Sequence, residues 1–126
     1  MENLANNHRI LSFKFALAGI ISALKEEPNL KFHFIAGILV IILSLILNIS
    51  REDWIKIIFL IGFVISLELT NTAIEAVVDA FTEKQHPGAK LAKDISAGAV
   101  LVAAVTATVL GIIIFLPYFK NATLSF

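Results

Sequence analysis

Phe32-His-Phe-Ile-Ala-Gly-Ile-Leu-Val-Ile-Ile-Leu-Ser-Leu-Ile-Leu-Asn-Ile49 is an almost unbroken apolar run. A helix needs about 20 such residues to cross ~30 Å of hydrocarbon, so this stretch predicts a transmembrane helix over 32–49. The run stops at Asn48. Ser50-Arg51-Glu52-Asp53 then reads as a short polar turn whose Ser and Asp resemble a capping box for the next helix. Trp54 follows where an interfacial anchor belongs. Composition agrees with a membrane protein: of 126 residues, 58% are hydrophobic and 16% charged. The mean hydropathy of +0.88 is far from that of a soluble domain.

Working outward from that run, 54–79 reads as a second helix, apolar to Leu67 and then marked by Glu68, Asn71, Glu75 and Asp79. At ~1.5 Å per residue Glu68 lies about 21 Å beyond Trp54. That places it just inside the far boundary, with Glu75 and Asp79 outside. A third span, 95–119, carries no charge and is expected to end at Pro117 and Tyr118. Within it Ala99, Ala103, Ala107 and Gly111 recur every four residues and predict a smooth ridge for close helix packing. Before the first span, Ile10, Phe13, Leu17, Ile21 and Leu24 keep a helical period, while Arg9, Lys14, Ser22 and Lys25 interrupt it too often for spanning. Residues 1–30 are therefore expected to form an amphipathic helix on the membrane surface, ended by Pro28. The fold class is all-α: three transmembrane helices and one surface helix in a single membrane domain over 1–126.

Composition also excludes. Net charge is zero and the basic residues form no stripe interleaved with aromatics, so a nucleic-acid partner is not expected. With no cysteine there are no disulfides, thiolate nucleophiles or Cys-ligated metals. Ala16-Leu17-Ala18 mimics a signal cleavage site, but the apolar run before it is too short, so the N-terminus is expected to be retained. The sequons Asn48-Ile49-Ser50 and Asn121-Ala122-Thr123 read as chance matches. Basic residues set the orientation. Arg9, Lys14, Lys25, Lys31, Lys84, Lys90 and Lys93 fall on one side and only Arg51, Lys56 and Lys120 on the other. The positive-inside rule thus predicts a cytoplasmic N-terminus and a cytoplasmic loop over 80–94.

That topology gathers the polar groups at one edge: Glu26, Glu27, Asn29 and His33, the stripe on the second helix, and Lys93-Asp94 before the third. At about 100° per residue, offsets of 0, 3, 7 and 11 put Glu68, Asn71, Glu75 and Asp79 on one narrow stripe. For Glu75 and Asp79 the plain alternative is a solvated helix face. Glu68 resists that reading, because a carboxylate at hydrocarbon depth is costly and marks function by default. Several carboxylates with an amide and a lysine suit a hard cation such as Mg²⁺ that arrives holding substrate phosphates, with ATP the obvious carrier. The six glycines form neither a P-loop nor a kinase Gly-rich loop. His8, His33 and His86 are too scattered for a metal triad.

Two stretches carry a resemblance. Glu68-x-x-Asn71-Thr-Ala-Ile-Glu75-Ala-Val-Val-Asp79, followed by Ala92-Lys93-Asp94-x-x-Ala97-Gly98-Ala99-Val100, resembles the prokaryotic diacylglycerol kinase family, which includes the undecaprenol kinases. The resemblance runs from about Arg9 to Phe119. It implies a small homotrimeric kinase of a bacterial cell membrane, phosphorylating a lipid alcohol from ATP with Mg²⁺. Carried over residue by residue, it implies Glu68 as general base and Asn71 as helping to position that base or the phosphate. It further implies Glu27 and Glu75 as ligands of nucleotide-bound Mg²⁺, Lys93 on the phosphates, and Asp79, Asp94 and the segment around His86 on the nucleotide side. His33, where the enterobacterial enzyme has an acid, favours undecaprenol over diacylglycerol. The chemistry itself asks little of the protein, since phosphoryl transfer depends on positioning and charge stabilisation. A small proton-coupled exporter using Glu68 is the alternative from another class, and a non-catalytic subunit packing through the small-residue ridge is a third. The exporter needs a polar path to the opposite side, which the spans do not offer.

Overall fold

The computed structural model of the protein describes residues 2–82 and 86–123. Lys84, one of the basic residues counted for orientation, lies outside them, as do the side chains of His8, Arg9, Ile10 and Asn121. Four helices follow in order: α1 (Glu2–Glu26), α2 (Pro28–Ile46), α3 (Arg51–Phe81) and α4 (Pro87–Thr123). The last three are each long and apolar enough to cross a membrane.

Each junction has a local chemical cause. Proline disfavours the α region for the residue before it and is well placed at the first helical position. Glu27 accordingly sits in extended backbone at φ −98°, ψ 112°, and α2 starts at Pro28. At the other end of α2, Asn48 takes a left-handed φ of 47°. The Asn48 N–H bonds the Leu45 carbonyl at 3.2 Å and the Ile49 N–H reaches back to Ser44 at 3.3 Å, the two bonds of a Schellman cap. Ser50 then caps α3, its hydroxyl accepting from the Asp53 N–H at 3.2 Å. The expected capping box closes by a detour. The Ser50 N–H donates to the Tyr118 hydroxyl at 2.9 Å, and that hydroxyl donates to Asp53 Oδ2 at 2.6 Å, so α4 locks the α2–α3 turn.

The third span, α4, corrects the sequence expectation at both ends. It begins at Pro87, about two turns before 95, and the connection shrinks from 80–94 to the few residues between Phe81 and Pro87. The charges that suggested a loop are helical because they find partners: Lys90 pairs with Asp94 one turn on, and Lys93 crosses to Asp79 of α3. Pro117 lies inside the helix rather than ending it. Near a helix terminus the lost N–H is readily tolerated in a membrane protein.

α3 is the centre, packing on α4 and on α2, while α2 and α4 do not pack on each other among the described residues. Ile49, Ile57, Leu60, Ile114 and Phe115 form the core at the α2–α3 turn, with Trp54 and Tyr118 against it. Gly37 lets α2 approach α3: a Cβ there would stand 3.1 Å from Ile61 Cγ2. The predicted ridge on α4 is realised in part. Ala103 is buried and Ala107 and Gly111 are half-buried, but Ala99 is exposed. The true seam runs Ser96, Val100, Ala103, Ala107, because helical neighbours alternate spacings of three and four while a strict four drifts off the face. On α1, Phe13, Leu17 and Ile21 remain exposed, while the helix packs on α2 and α3.

Candidate functional site

α3 leaves the apolar core with its polar stripe turned inward. Glu68 retains 3% exposure and Asn71 7%, although both are polar. Glu75 is half-buried and Asp79 exposed, so the stripe passes from interior to surface over three turns. A buried carboxylate and amide cost several kcal/mol at about 1–3 kcal/mol or more for each unpaired group, and here both ends of the amide are bonded. Asn71 Nδ2 donates to Glu75 Oε1 at 3.1 Å, and Ser96 Oγ of α4 donates to Asn71 Oδ1 at 2.6 Å. Beyond them, Lys93 Nζ contacts both oxygens of Asp79 at 2.9 and 3.0 Å.

Other segments contribute. Glu27, at the α1–α2 junction, and His33, in the second turn of α2, act electrostatically on Glu68, as does Glu75. Lys93 feels Asp79, Glu75 and Glu27 together. His33 is half-buried with its ring edge-on to Phe32 at 5.5 Å. On α3, Asn71 and Asp79 therefore touch Ser96 and Lys93 of α4, and the charges of Glu27 and His33 act on Glu68 from the α1–α2 side.

Two of the residues expected at the site stand aside from it. Asp94 turns to Lys90 on the exposed face of α4. His86 is exposed and accepts the Gly88 N–H on Nδ1 at 3.1 Å, capping the start of α4. One residue was overlooked. Ser96 occupies an unspecified position of the second motif, and its signal was a lone hydroxyl one turn after Lys93 in an otherwise apolar helix face.

No cluster of three or more His, Cys, Asp or Glu side chains able to hold a metal occurs among the described residues. Glu75, half-buried beside Asn71, and Glu27, at the α1–α2 junction, are the acids whose chemistry fits a hard divalent ion that binds through one or two carboxylates and keeps water and phosphate oxygens for the rest. An apolar cavity of about 540 Å³ opens between α2 and α4 over α3, with His33 and Ile65 in its lining.

The prokaryotic diacylglycerol kinase family model matches residues 14–115. The undecaprenol kinase of Bacillus subtilis (strain 168) is 46% identical over 111 residues, covering 88% of this chain and 90% of that protein. The diacylglycerol kinase of Synechocystis sp. is 37% identical over 109 residues, covering 86% and 62% respectively. That of Pseudomonas aeruginosa is 32% identical over 95 residues, covering 75% and 77%.

Proposed function

The chain belongs to the prokaryotic diacylglycerol kinase family, and from that premise we propose that it transfers the γ-phosphoryl group of ATP, with Mg²⁺, to undecaprenol at the cytoplasmic face of a bacterial cell membrane. Phosphorylation of a membrane lipid alcohol from a nucleotide donor follows from the family. Undecaprenol rather than diacylglycerol is favoured by the similarity to the Bacillus enzyme and by His33. The observation that carries the reading is the line from buried Glu68 through the bonded Asn71–Glu75 pair to the Asp79–Lys93 bridge at one end of an apolar helix bundle, with the charge of Glu27 acting on Glu68 and Lys93.

The roles follow from depth. Glu68, the most buried acid, faces the level at which a lipid hydroxyl lies and takes its proton as the oxygen attacks the γ-phosphorus and the bond to ADP breaks. Asn71 holds the stripe in register between Glu68 and Glu75. Glu27 and Glu75 would hold the metal, which when bound would supply charge neutralisation on the phosphates. Lys93, bridged to Asp79, contacts the phosphates. The apolar cavity beside His33 accommodates the lipid tail. Asp94 and His86, exposed at the start of α4 and outside the cluster, are left to the parts of the nucleotide beyond its phosphates. Large uncovered apolar faces, such as Ile35 and Leu45 on α2, Phe59 on α3 and Leu101 on α4, support lipid and neighbouring copies as partners, with a homotrimer as the assembly.

The exporter alternative finds no support. Between the polar cluster and the Ser50–Asp53–Tyr118 clamp lies an apolar core, and the hydroxyls of Ser44, Ser66, Thr106 and Thr108 are each spent on a carbonyl of their own helix at 2.7–2.8 Å.

The decisive experiment supplies purified protein in lipid with γ-labelled ATP, Mg²⁺ and either undecaprenol or diacylglycerol. Label is expected in undecaprenyl phosphate; no label in either lipid rejects the kinase. Glu68→Gln is expected to lower turnover by about 10²-fold or more, the scale of a lost general base, while keeping nucleotide affinity. Glu75→Gln is expected to raise the KM for Mg·ATP instead.

A further inference from the structure

Ser96 lies on the seam that α4 presents to α3, buried to 8% exposure between Lys93 and Val100. Packing at this seam asks only for a small residue, and Ala97, Gly98 and Ala99 beside it show how readily this helix supplies one without a hydroxyl. Burying a hydroxyl is unfavourable unless it is bonded. Ser96 Oγ has two acceptors within reach, Asn71 Oδ1 at 2.6 Å and the Lys93 carbonyl at 2.9 Å. A hydroxyl has one proton to donate. Two oxygens held at 2.6 Å with no proton between them would repel, so the proton lies toward Asn71.

That contact decides which way the amide faces. With Oδ1 committed to Ser96, Nδ2 must point along α3 to Glu75, the bond seen at 3.1 Å. Turned over, the amide would set its own oxygen against the Glu75 carboxylate, acceptor against acceptor. We infer that Ser96 is a positioning residue: by donating to Asn71 Oδ1 it fixes the Asn71 amide, and through it the Glu75 carboxylate, in the orientation that receives the metal–nucleotide. The inference rests on the reading of Glu75 as a ligand on the nucleotide side. It also explains why α3 and α4, distant in sequence, must dock in one register for the site to exist.

The test titrates Mg²⁺ with a non-hydrolysable ATP analogue into the full-length protein in lipid, comparing the wild type with Ser96→Ala and Ser96→Thr. Asn71 side-chain amide resonances are followed by NMR without nucleotide. Ser96→Ala is expected to weaken analogue binding about fivefold, the size of one neutral hydrogen bond, and to move the two Asn71 amide-proton resonances toward each other. Ser96→Thr, which keeps the hydroxyl, is expected to restore both, a rescue that a purely volumetric role would not show. Unchanged Asn71 resonances and unchanged analogue affinity in Ser96→Ala overturn the inference, as does a Thr variant that folds yet behaves like Ala. The labelled-lipid assay separates the two readings. A wild type that binds nucleotide but phosphorylates neither alcohol defeats the kinase while the Ser96 result stands. A wild type that makes lipid phosphate, with Ser96→Ala indistinguishable from it, defeats only the positioning role.

Discussion

Glu68 and Glu75 occupy the same face of α3 two turns apart, yet they meet different surroundings: one is sealed at 3% exposure, the other is half-open and already holds an amide. On the proposed roles the sealed acid takes a proton and the open one shares a cation with water and phosphate. Lys93 is shared in the same way. Its bridge to Asp79 joins a partly exposed ammonium to an exposed carboxylate, and such a pair contributes little to stability because solvent screens it. Lys93→Met is therefore expected to leave the unfolding midpoint nearly unchanged while raising the KM for Mg·ATP, which parallel thermal and kinetic measurements will check. The acids of this stripe were legible in the sequence because carboxylates stand out in an apolar helix. Ser96 was not, because a lone serine in a membrane helix usually satisfies itself on its own backbone, as Ser44 and Ser66 do here.

At the level of elements, the α2–α3 turn is the best-specified joint in the chain. Asn48 carries a left-handed φ, which costs an ordinary L residue about 1–2 kcal/mol. Asn48→Leu is expected to lose about that much in unfolding free energy, whereas Asn48→Gly should be neutral or slightly stabilising. Tyr118 ties α4 to the same joint through Ser50 and Asp53. Tyr118→Phe removes one acceptor and one donor, and the loss is expected to be about 1–3 kcal/mol, measurable by denaturant unfolding in detergent. Pro117 misled the reading of the helix end because a proline marks a probable boundary rather than a certain one, and the Tyr118 clamp one residue later rewards continuing the helix. The charges before 95 misled it likewise: in one dimension Lys90, Lys93 and Asp94 look like a loop, and in three they are neutralised pairs on helical turns.

For the whole molecule, the placing of both polar ends of the bundle determines what can be seen from each side of the membrane. The chain has no cysteine, so single probes are clean. Lys90→Cys is expected to react with an impermeant thiol reagent only from the cytoplasmic side of oriented vesicles and Arg51→Cys only from the other; equal labelling from one side would reverse or abolish the topology. The open cavity and the uncovered faces of α2, α3 and α4 leave a chain of 13.7 kDa with more apolar surface than interior. Native mass spectrometry from detergent is expected to report three chains together, and a stable monomer with full activity would remove the trimer from the account.

Periodicity and hydropathy by themselves determined that the chain is all-α, that it crosses a membrane three times, and that one end of the second span bears a line of acids. Those properties are local: they depend on spacing along one helix and on the cost of placing polar groups in hydrocarbon. What only the tertiary structure decided is which groups from different helices touch. The bond between Ser96 and Asn71, the electrostatic reach of Glu27 and His33 to Glu68, and the pairing of Lys93 with Asp79 all depend on the register in which α4 and α2 dock on α3. That register is set by interdigitation of Gly37, Ile61, Val100 and Ala103 across the seams, a matter of shape between surfaces that no single helix contains.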